Sequence, residues 1–465
     1  MMFPHKITRI FSKQETERIL ELIRSGVVMT RGDKMSLLVM LSIPSILAQI
    51  TSVMMFFIDA SMVGRLGAAP SAAVGLVETT TWLLHGAISA TSIGFSVQLA
   101  HAVGANNMQK ARDVMKHALV CALVISTLIA IIGSCCAFQL PRWLGGSADI
   151  IEDAGWYFLV WVAITPIFQM SSLFGSLLKS SGDMRVPSIT SIVMCVLDVI
   201  FNYVFIFVLG MGVTGAAIGS ALAILVGAAV QMYFALVRSH ILALRLDTQA
   251  FVWDWRVVRK AAKIAYPMAL QTFFLNGAQI ISTVIVAPLG AIAIATNSFG
   301  ITAESLCYMP GYGIADAATT LVGQSVGAKR HELTWSFARM AVATGMGVMA
   351  FMGAVMWIFA PEMMALLSPV EAIQSLGVEV LRIEAWAEPM FAASIVCSYC
   401  MIGGGFSLHP AVANLATMWG VRLTLAALLA PVWGLKGVWI AMAVELCIRG
   451  LVQLVLMRRT LKFHR

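Results

Sequence analysis

The chain has 465 residues, of which 59% are apolar and only 12% are charged, and its formal net charge is +8. A soluble domain carries about 25% charged residues, so this composition indicates a protein that lies mostly in a lipid bilayer. The basic residues are spread over loops between apolar runs, which does not favour a nucleic-acid-binding protein, and most of the eight cysteines lie within those runs, which excludes a disulfide scaffold.

The N-terminal arm, residues 1–33, precedes the first long apolar run. Within it, residues 8–25 read as an amphipathic helix with Ile10, Ile19, Leu20 and Ile23 on one side. The pattern predicts a basic helix that lies on the inner surface of the membrane. A secretory signal is not expected, because the first apolar run starts late and is too long.

Twelve apolar runs are long enough to cross a bilayer, which takes about 20 residues per helix. The predicted fold class is therefore an all-α integral membrane protein. Spans 1 to 12 are predicted at residues 36–63, 71–99, 114–139, 154–178, 187–209, 213–238, 261–288, 292–322, 336–360, 374–402, 410–432 and 437–457.

Glycine and proline residues recur at a constant separation of 223 positions. The pairs are Pro44/Pro267, Gly67/Gly290, Gly104/Gly327, Pro166/Pro389, Gly182/Gly405 and Pro187/Pro410. Both residue types mark places where the backbone conformation is special, so the spacing predicts two copies of one fold. We expect an N-lobe at 34–238, a linker at 239–258, a C-lobe at 259–460 and a tail at 461–465. Internal duplication in an apolar chain is typical of transporters.

Lysine and arginine cluster in the arm, the even-numbered connections and the tail, whereas the odd-numbered connections hold only Arg65, Arg142 and Lys436. The positive-inside rule then places both termini and the even connections in the cytoplasm. Because each half has six spans, the two halves are expected to be parallel repeats, related by an axis along the membrane normal.

Enzyme motifs occur only in contexts that do not support them. GMGVTG at 210–215 lies in a turn between two spans, without the strand that a dinucleotide site needs. Cys397 and Cys400 form C-x-x-C inside an apolar helix, with no second ligand pair. No Walker motif is present, so ATP is not expected. The sequence predicts a protein that is not an enzyme and has no cofactor.

Polar residues inside the N-lobe spans are the first functional candidates, because ionisable groups are costly in a bilayer. They are Asp59 in span 1, Asp198 and Asn202 one turn apart in span 5, and Ser220 in span 6. Their oxygen atoms would form a pocket that binds Na⁺ or holds a proton, because burial and a neighbouring like charge both favour a protonated carboxyl group. The alternative is a structural hydrogen-bond network that only holds the helices together.

The C-lobe lacks this set, because the positions equivalent to Asp59, Asp198 and Asn202 hold Ser282, Val421 and Leu425. Other polar residues lie in its spans, and Glu445 and Arg449 are expected to pair. Candidates for a substrate cavity are Glu304, Glu388, Gln271, Asn276, Tyr308 and Met55, with packing or ion pairing as the alternative. Pro44 and Pro310 interrupt the backbone hydrogen bonds of spans 1 and 8 and are candidate hinges.

Three segments resemble one transporter family. F-F-I-D-A-S-M-V-G-R-L-G at 56–67 is similar to the first-helix signature of multidrug and toxic compound extrusion (MATE) transporters. E-S-L-C-Y-M-P-G-Y-G at 304–313 and L-V-G-Q-S-V-G-A at 321–328 also resemble that family and point to its bacterial DinF-like branch. The resemblance covers about residues 34–460. It implies a V-shaped bundle of two six-helix lobes around a central cavity, and export of bulky, often cationic, compounds in exchange for H⁺ or Na⁺ by alternating access.

The resemblance also assigns residues. Asp59 matches the family's first-helix aspartate, Asp198 and Asn202 match two polar positions of its fifth helix, and Ser220 stands where the family often has threonine. Pro44 matches a proline whose bending has been proposed to follow protonation of that aspartate.

Two positions of the C-lobe depart from the family's sodium-driven branch. Leu275 and Ala392 stand where that branch has acidic residues. A cation site of that type is therefore doubtful in the C-lobe. We expect coupling in the N-lobe, with a possible Na⁺ site at Asp59, Asp198 and Asn202.

The sequence thus predicts a multidrug efflux antiporter of a bacterial inner membrane, monomeric, with lipids and small organic substrates as partners and no nucleic acid. The alternative is a lipid-linked oligosaccharide flippase of the same superfamily; such proteins often have more spans and basic cavities. A membrane receptor is less favoured because no soluble domain is present. The substrate and the choice between H⁺ and Na⁺ stay open.

Overall fold

The computed structural model describes residues 13–247 and 250–462, and within them the regular secondary structure is helical, with no strand. The α-helices are α1 Lys13–Arg24, α2 Arg31–Gly64, α3 Ala68–Gly104, α4 Met108–Cys136, α5 Leu140–Trp143, α6 Ile151–Ala163, α7 Thr165–Ser181, α8 Arg185–Tyr203, α9 Gly212–Tyr233, α10 Trp255–Val286, α11 Ala291–Gly327, α12 His331–Leu367, α13 Glu371–Ala385, α14 Glu388–Gly403, α15 Leu408–Thr417 and α16 Leu423–Met457. Four π-helical turns, Val204–Val208, Phe234–Arg238, Met418–Arg422 and Arg458–Lys462, continue α8, α9, α15 and α16.

The twelve predicted spans correspond to helical segments of the described residues. Eight segments are long and apolar enough to cross a membrane, and two bent pairs, α6–α7 and α13–α14, raise the number to ten. One of the eight, Leu408–Lys462, is broken at Gly434, which has a φ of 58°, so it holds spans 11 and 12. The remaining span is α11, whose 37 residues include the acidic Glu304 and Asp316. The all-α, twelve-span fold class is confirmed.

The duplication is visible in the backbone conformation. Asn106 and Lys329, which are 223 positions apart, both have a φ of 56° and lie just after α3 and α11. Few residues with a side chain adopt such a φ, so its recurrence at equivalent positions indicates the same turn in both halves. Gly182 and Gly405 repeat a left-handed conformation in the same way, with φ values of 102° and 90°.

The two sharply bent spans are also equivalent in the two halves. The bend is 46° between α6 and α7 and 55° between α13 and α14, and Pro166 and Pro389 lie in the first turns of the second helices. Proline suits a first turn, where its missing N–H would have no partner, but it cannot continue a preceding helix. The predicted hinges Pro44 and Pro310 lie instead inside the uninterrupted α2 and α11. Their bending stays a prediction.

The chain forms two compact units, one of residues up to Ile50 together with Leu270–Arg465 and the other of Thr51–Ala269. Each has its own apolar core; Trp439 is the largest fully buried side chain of the first and Phe174 of the second. The unit boundaries fall inside α2 and α10, whereas the predicted lobes were divided in the 239–258 connection. Residues 248–249 of that connection and 463–465 of the predicted tail lie outside the described residues.

The helix predicted in the arm is α1, but it does not offer its apolar side to a membrane surface. Ile19, Leu20 and Ile23 are 2%, 3% and 0% exposed. The amphipathic pattern is satisfied by the protein itself, which corrects the prediction of a helix lying on the bilayer. Residues 1–12, with Ile10, lie outside the described residues.

Candidate functional site

A polar network joins α2, α8 and α9 in the Thr51–Ala269 unit. The two N–H groups of the Asn202 side-chain amide donate to Asp59 Oδ1, with 2.8 Å between the heavy atoms, and to Asp198 Oδ2, with 3.1 Å. Ser220 Oγ lies 3.4 Å from the same nitrogen atom. Asp198 and Asn202 are fully buried and Ser220 nearly so, while Asp59 is half-buried. The structure thus brings together the four residues predicted for coupling.

Close helix packing makes this network possible. Asp198 and Asn202 share one face of α8 because they are four residues apart. On α9, a Cβ atom at Gly219 would lie 2.1 Å from Asn202 Oδ1 and 2.9 Å from its backbone nitrogen. Only glycine leaves room for Asn202 at this crossing, which explains Gly219 next to Ser220.

The network holds two oxygen atoms that no donor satisfies within the described residues, Asp198 Oδ1 and Asn202 Oδ1. The carboxyl groups of Asp59 and Asp198 accept from the same nitrogen atom of Asn202 and are therefore neighbours. Two neighbouring carboxylates repel, the more so when one of them is fully buried, so such a pair favours the uptake of a proton or a cation. The arrangement is chemically suited to take up either one.

The donor set for a sodium ion would combine carboxylates with neutral oxygen atoms. Within residues 13–247 and 250–462, no group of three or more His, Cys, Asp or Glu side chains could hold a metal ion. A sodium ion at Asp59 and Asp198 would therefore depend on neutral oxygens, from Asn202 and Ser220, as well as on two carboxylates. Hard cations accept such oxygen ligands.

A cavity of about 190 Å³ lies beside Asp59 in the same unit, and Asp59 is part of its lining. Five of its fourteen lining residues are aromatic: the ring centroids of Phe56 and Trp82 are 4.9 Å apart, and those of His85 and Trp161 are 5.5 Å apart. The polar network therefore borders a cavity that offers both aromatic rings and carboxyl groups.

Three residues of this cavity, Glu78, His85 and Tyr157, were not among the sequence candidates. Glu78 accepts a hydrogen bond from Trp82 Nε1 at 3.3 Å, and the His85 ring stacks on Phe168 with 4.3 Å between centroids. The signal was present in the sequence, because Glu78 and His85 are ionisable residues seven positions apart within span 2 and so share a helix face.

Three of the six substrate-cavity candidates, Glu304, Tyr308 and Glu388, lie on α11 and α14. Glu304 and Tyr308 are one turn apart on α11, and Glu388 begins α14; Glu304 is 5% exposed and Glu388 is 0% exposed. Both carboxyl oxygens of Glu388 lack a nitrogen or oxygen donor in the described part of the chain. The Tyr308 ring lies 5.4 Å from that of Phe391.

The other three candidates lie on α10 and α2. Gln271 and Asn276 are half-buried on α10, and Asn276 Nδ2 donates to the backbone oxygen of Thr272 at 2.9 Å. Met55 is half-buried on α2 and does not line the cavity beside Asp59.

The predicted pairing of Glu445 and Arg449 is confirmed, with 3.2 Å between Glu445 Oε1 and Arg449 Nε. We expect Glu445→Ala to lower the free energy of unfolding by about 3–5 kcal/mol, because it leaves a mostly buried guanidinium without its carboxylate. Glu379 pairs with Lys436 on the surface, where both side chains are about half exposed, and Glu379→Ala should cost less than about 1 kcal/mol. Thermal unfolding in detergent measures the loss of stability in both variants. Equal losses in Glu445→Ala and Glu379→Ala would contradict the prediction.

Comparison with known proteins identifies the family. A model of the MatE family matches residues 44–204 and 267–428, two segments that start 223 residues apart and together exceed half of the chain. The chain belongs to the MatE family. As a member of this family it is a multi-pass membrane transporter and not an enzyme.

Curated relatives and solved structures are similar to this MatE protein over most of its length. The probable multidrug resistance protein NorM of Thermotoga maritima is 23% identical over 90% of this chain and 91% of its own. The uncharacterized transporter YisQ of Bacillus subtilis is 23% identical over 85% and 88%. The Vibrio cholerae MATE transporter VcmN, in its bent form, superposes with a TM-score of 0.84 at 19% identity over 97% and 98% of the two chains. The last likeness shows a shared fold. The assignment to the DinF-like branch stays a prediction.

Proposed function

We propose that the protein is a secondary antiporter that exports small organic compounds in exchange for H⁺ or Na⁺. The observation that carries this proposal is the Asp59–Asp198–Asn202–Ser220 network, which contains two unsatisfied buried oxygens and borders a cavity. An acid pair that favours the uptake of a cation can bias the protein between two states, because a ligand shifts an equilibrium when it binds one state better. Relatives named as multidrug resistance proteins support the same direction.

The cavity beside Asp59 suits bulky substrates with positive charge. Aromatic faces attract organic cations, and Trp82 and Trp161 supply the largest ones here. Asp59 and Glu78 add carboxyl groups to the same wall. Substrate and coupling cation would then compete for Asp59, which is the simplest way for one to displace the other.

The second half contributes additional substrate contacts in this proposal. Glu304, Tyr308 and Glu388 form its acidic and aromatic part, and Gln271 and Asn276 add amide groups. In the first half, Met55 is a further proposed substrate contact. Pro44 and Pro310 serve as hinges of α2 and α11. The transporter works as a monomer in a bacterial inner membrane, with both termini on the cytoplasmic side according to its basic connections.

A lipid-linked oligosaccharide flippase is the weaker alternative. A lipid-linked phosphate calls for a basic cavity, whereas Asp59 and Glu78 make this one acidic. The names of the relatives favour drug export over lipid transport.

Transport in proteoliposomes tests the proposal and separates the two cations. Efflux of a cationic aromatic dye is measured with a pH gradient alone and then with a Na⁺ gradient alone. We expect efflux to follow one gradient and to stop when an ionophore dissipates it. Dye movement equal to that of protein-free liposomes under both gradients would contradict the proposal.

A further inference from the structure

Several contacts hold residues 13–50 against α11 and α12, all within one compact unit, and three of them are considered in turn. The first is made by Arg330, which immediately precedes α12. Its Nη1 donates to the backbone oxygen of Leu22 and its Nη2 to that of Val27, both at 2.8 Å. The last carbonyl groups of a helix have no partner within it and carry partial negative charge, so a guanidinium is well suited to the end of α1.

The second contact lies on α2. Ser45 Oγ donates to Asp316 Oδ2 of α11 at 3.0 Å, and Gln49 Nε2 donates to the same oxygen at 3.3 Å. Ser45 is 0% exposed. Hydrogen bonds to a carboxylate are stronger than those between neutral groups. The two bonds to Asp316 therefore hold α2 on α11 more strongly than two neutral hydrogen bonds would.

The third contact is steric and lies one turn before Asp316. A Cβ atom at Gly313 would be 2.6 Å from both the backbone nitrogen and the Cα of Ile46. Real Cβ atoms do not approach a backbone so closely. The first part of α2 therefore lies directly on α11, and Gly313 is what permits it.

We propose that these contacts form a latch that keeps the first part of α2 on α11 in one state of the transport cycle and opens in the other. The latch consists of Arg330 with the end of α1, Asp316 with Ser45 and Gln49, and Gly313 with Ile46. It rests on the proposed function, because alternating access requires the cytoplasmic side to open and close. The latch joins residues 13–50, at the start of the first repeat, to α11 and α12 of the second repeat. It must therefore open if residues 13–50 move away from those two helices during the cycle.

Hydrogen–deuterium exchange of the full-length protein in lipid nanodiscs tests the latch. Arg330→Ala removes the clamp on α1, and Gly313→Ala forces α2 away from α11. In both variants we expect about tenfold or faster exchange in residues 13–50. Arg330→Ala removes hydrogen bonds from a charged group, which changes an opening equilibrium by at least that factor, and Gly313→Ala introduces overpacking of a similar cost.

Matched controls come from α12, which directly follows Arg330. Arg339 is exposed, and a Cβ at Gly347 would meet nothing within 4 Å, so Arg339→Ala and Gly347→Ala should exchange like the wild type. Unchanged exchange in both latch variants would overturn the proposal. A uniform increase that extends through α7 would also overturn it, because it would indicate general destabilisation.

A second readout separates opening from fraying. Ala48 is 7% exposed on α2, and a cysteine placed there by Ala48→Cys should resist a membrane-impermeant maleimide. We expect Arg330→Ala to raise its labelling about tenfold, with peptide mapping to distinguish it from the native cysteines. Equal labelling in both backgrounds would contradict the latch. If exchange and labelling respond as expected but no dye is transported, the contacts hold residues 13–50 on α11 as described, and it is the proposed function that fails.

Discussion

Asp59→Asn is expected to reduce cation-driven dye efflux to the rate of protein-free liposomes while the protein stays folded. The amide keeps the size of the side chain and can still accept the hydrogen bond from Asn202, which joins the two at 2.8 Å in the wild type. It removes one of the two neighbouring carboxyl groups that favour the uptake of a proton or a cation. A cation that no longer distinguishes the two states cannot drive exchange between them.

Efflux should be measured with matched amounts of protein and with Asp153→Asn as a control. Asp153 is an exposed aspartate of the same half, so its substitution changes the net charge equally without touching the network. Efflux that survives in Asp59→Asn would assign Asp59 a structural role and would direct attention to Asp198. The losses of efflux caused by Asp59→Asn and by Asp198→Asn should not add up in the double variant, because the two residues share one site.

Gly219→Ala is expected to abolish efflux as well, and also to destabilise the protein. The added methyl group would lie 2.1 Å from Asn202 Oδ1, so α9 must move away from α8 or Asn202 must leave its position. Overpacking of this kind costs about 1–3 kcal/mol, or about 2–4 °C of Tm for each kcal/mol in a unit of this size.

Gly75→Ala is the matched control for this substitution. Gly75 lies in α3 of the same half, and a Cβ there would meet nothing within 4 Å. It should leave efflux unchanged and should not lower the Tm. If Gly219→Ala transported dye like the wild type, the close approach of α8 and α9 would not be needed for coupling.

Much of the site could be predicted from the sequence alone, because its members share simple patterns. Asp198 and Asn202 are one helical turn apart, and Asp59 is an acid inside an apolar run, which is costly without a purpose. Glu78 and His85 carried the same kind of signal in span 2. Tyr157 did not, because a tyrosine in an apolar span is usually packing and only the neighbouring helices determine whether it borders a cavity.

The positions of the sharp helix bends could not be predicted from residue type alone. Pro44, Pro310, Pro166 and Pro389 all look alike in the sequence, yet the sharp bends occur at the last two. A proline inside a long helix can be accommodated by its neighbours, whereas one in a first turn starts a new helix direction.

The sequence by itself determined the membrane environment, the number of spans and the duplication. It also showed that the second half has no carboxylates at the positions equivalent to Asp59 and Asp198. These follow from composition, from apolar run length and from a spacing of 223 residues, which are properties of the chain in one dimension. Only the tertiary structure decided that Asn202 joins Asp59 to Asp198, that Gly219 makes room for it, and that Arg330 holds the end of α1. Each of these depends on which faces of distant helices meet, and apolar spans with weak patterns leave many such pairings open.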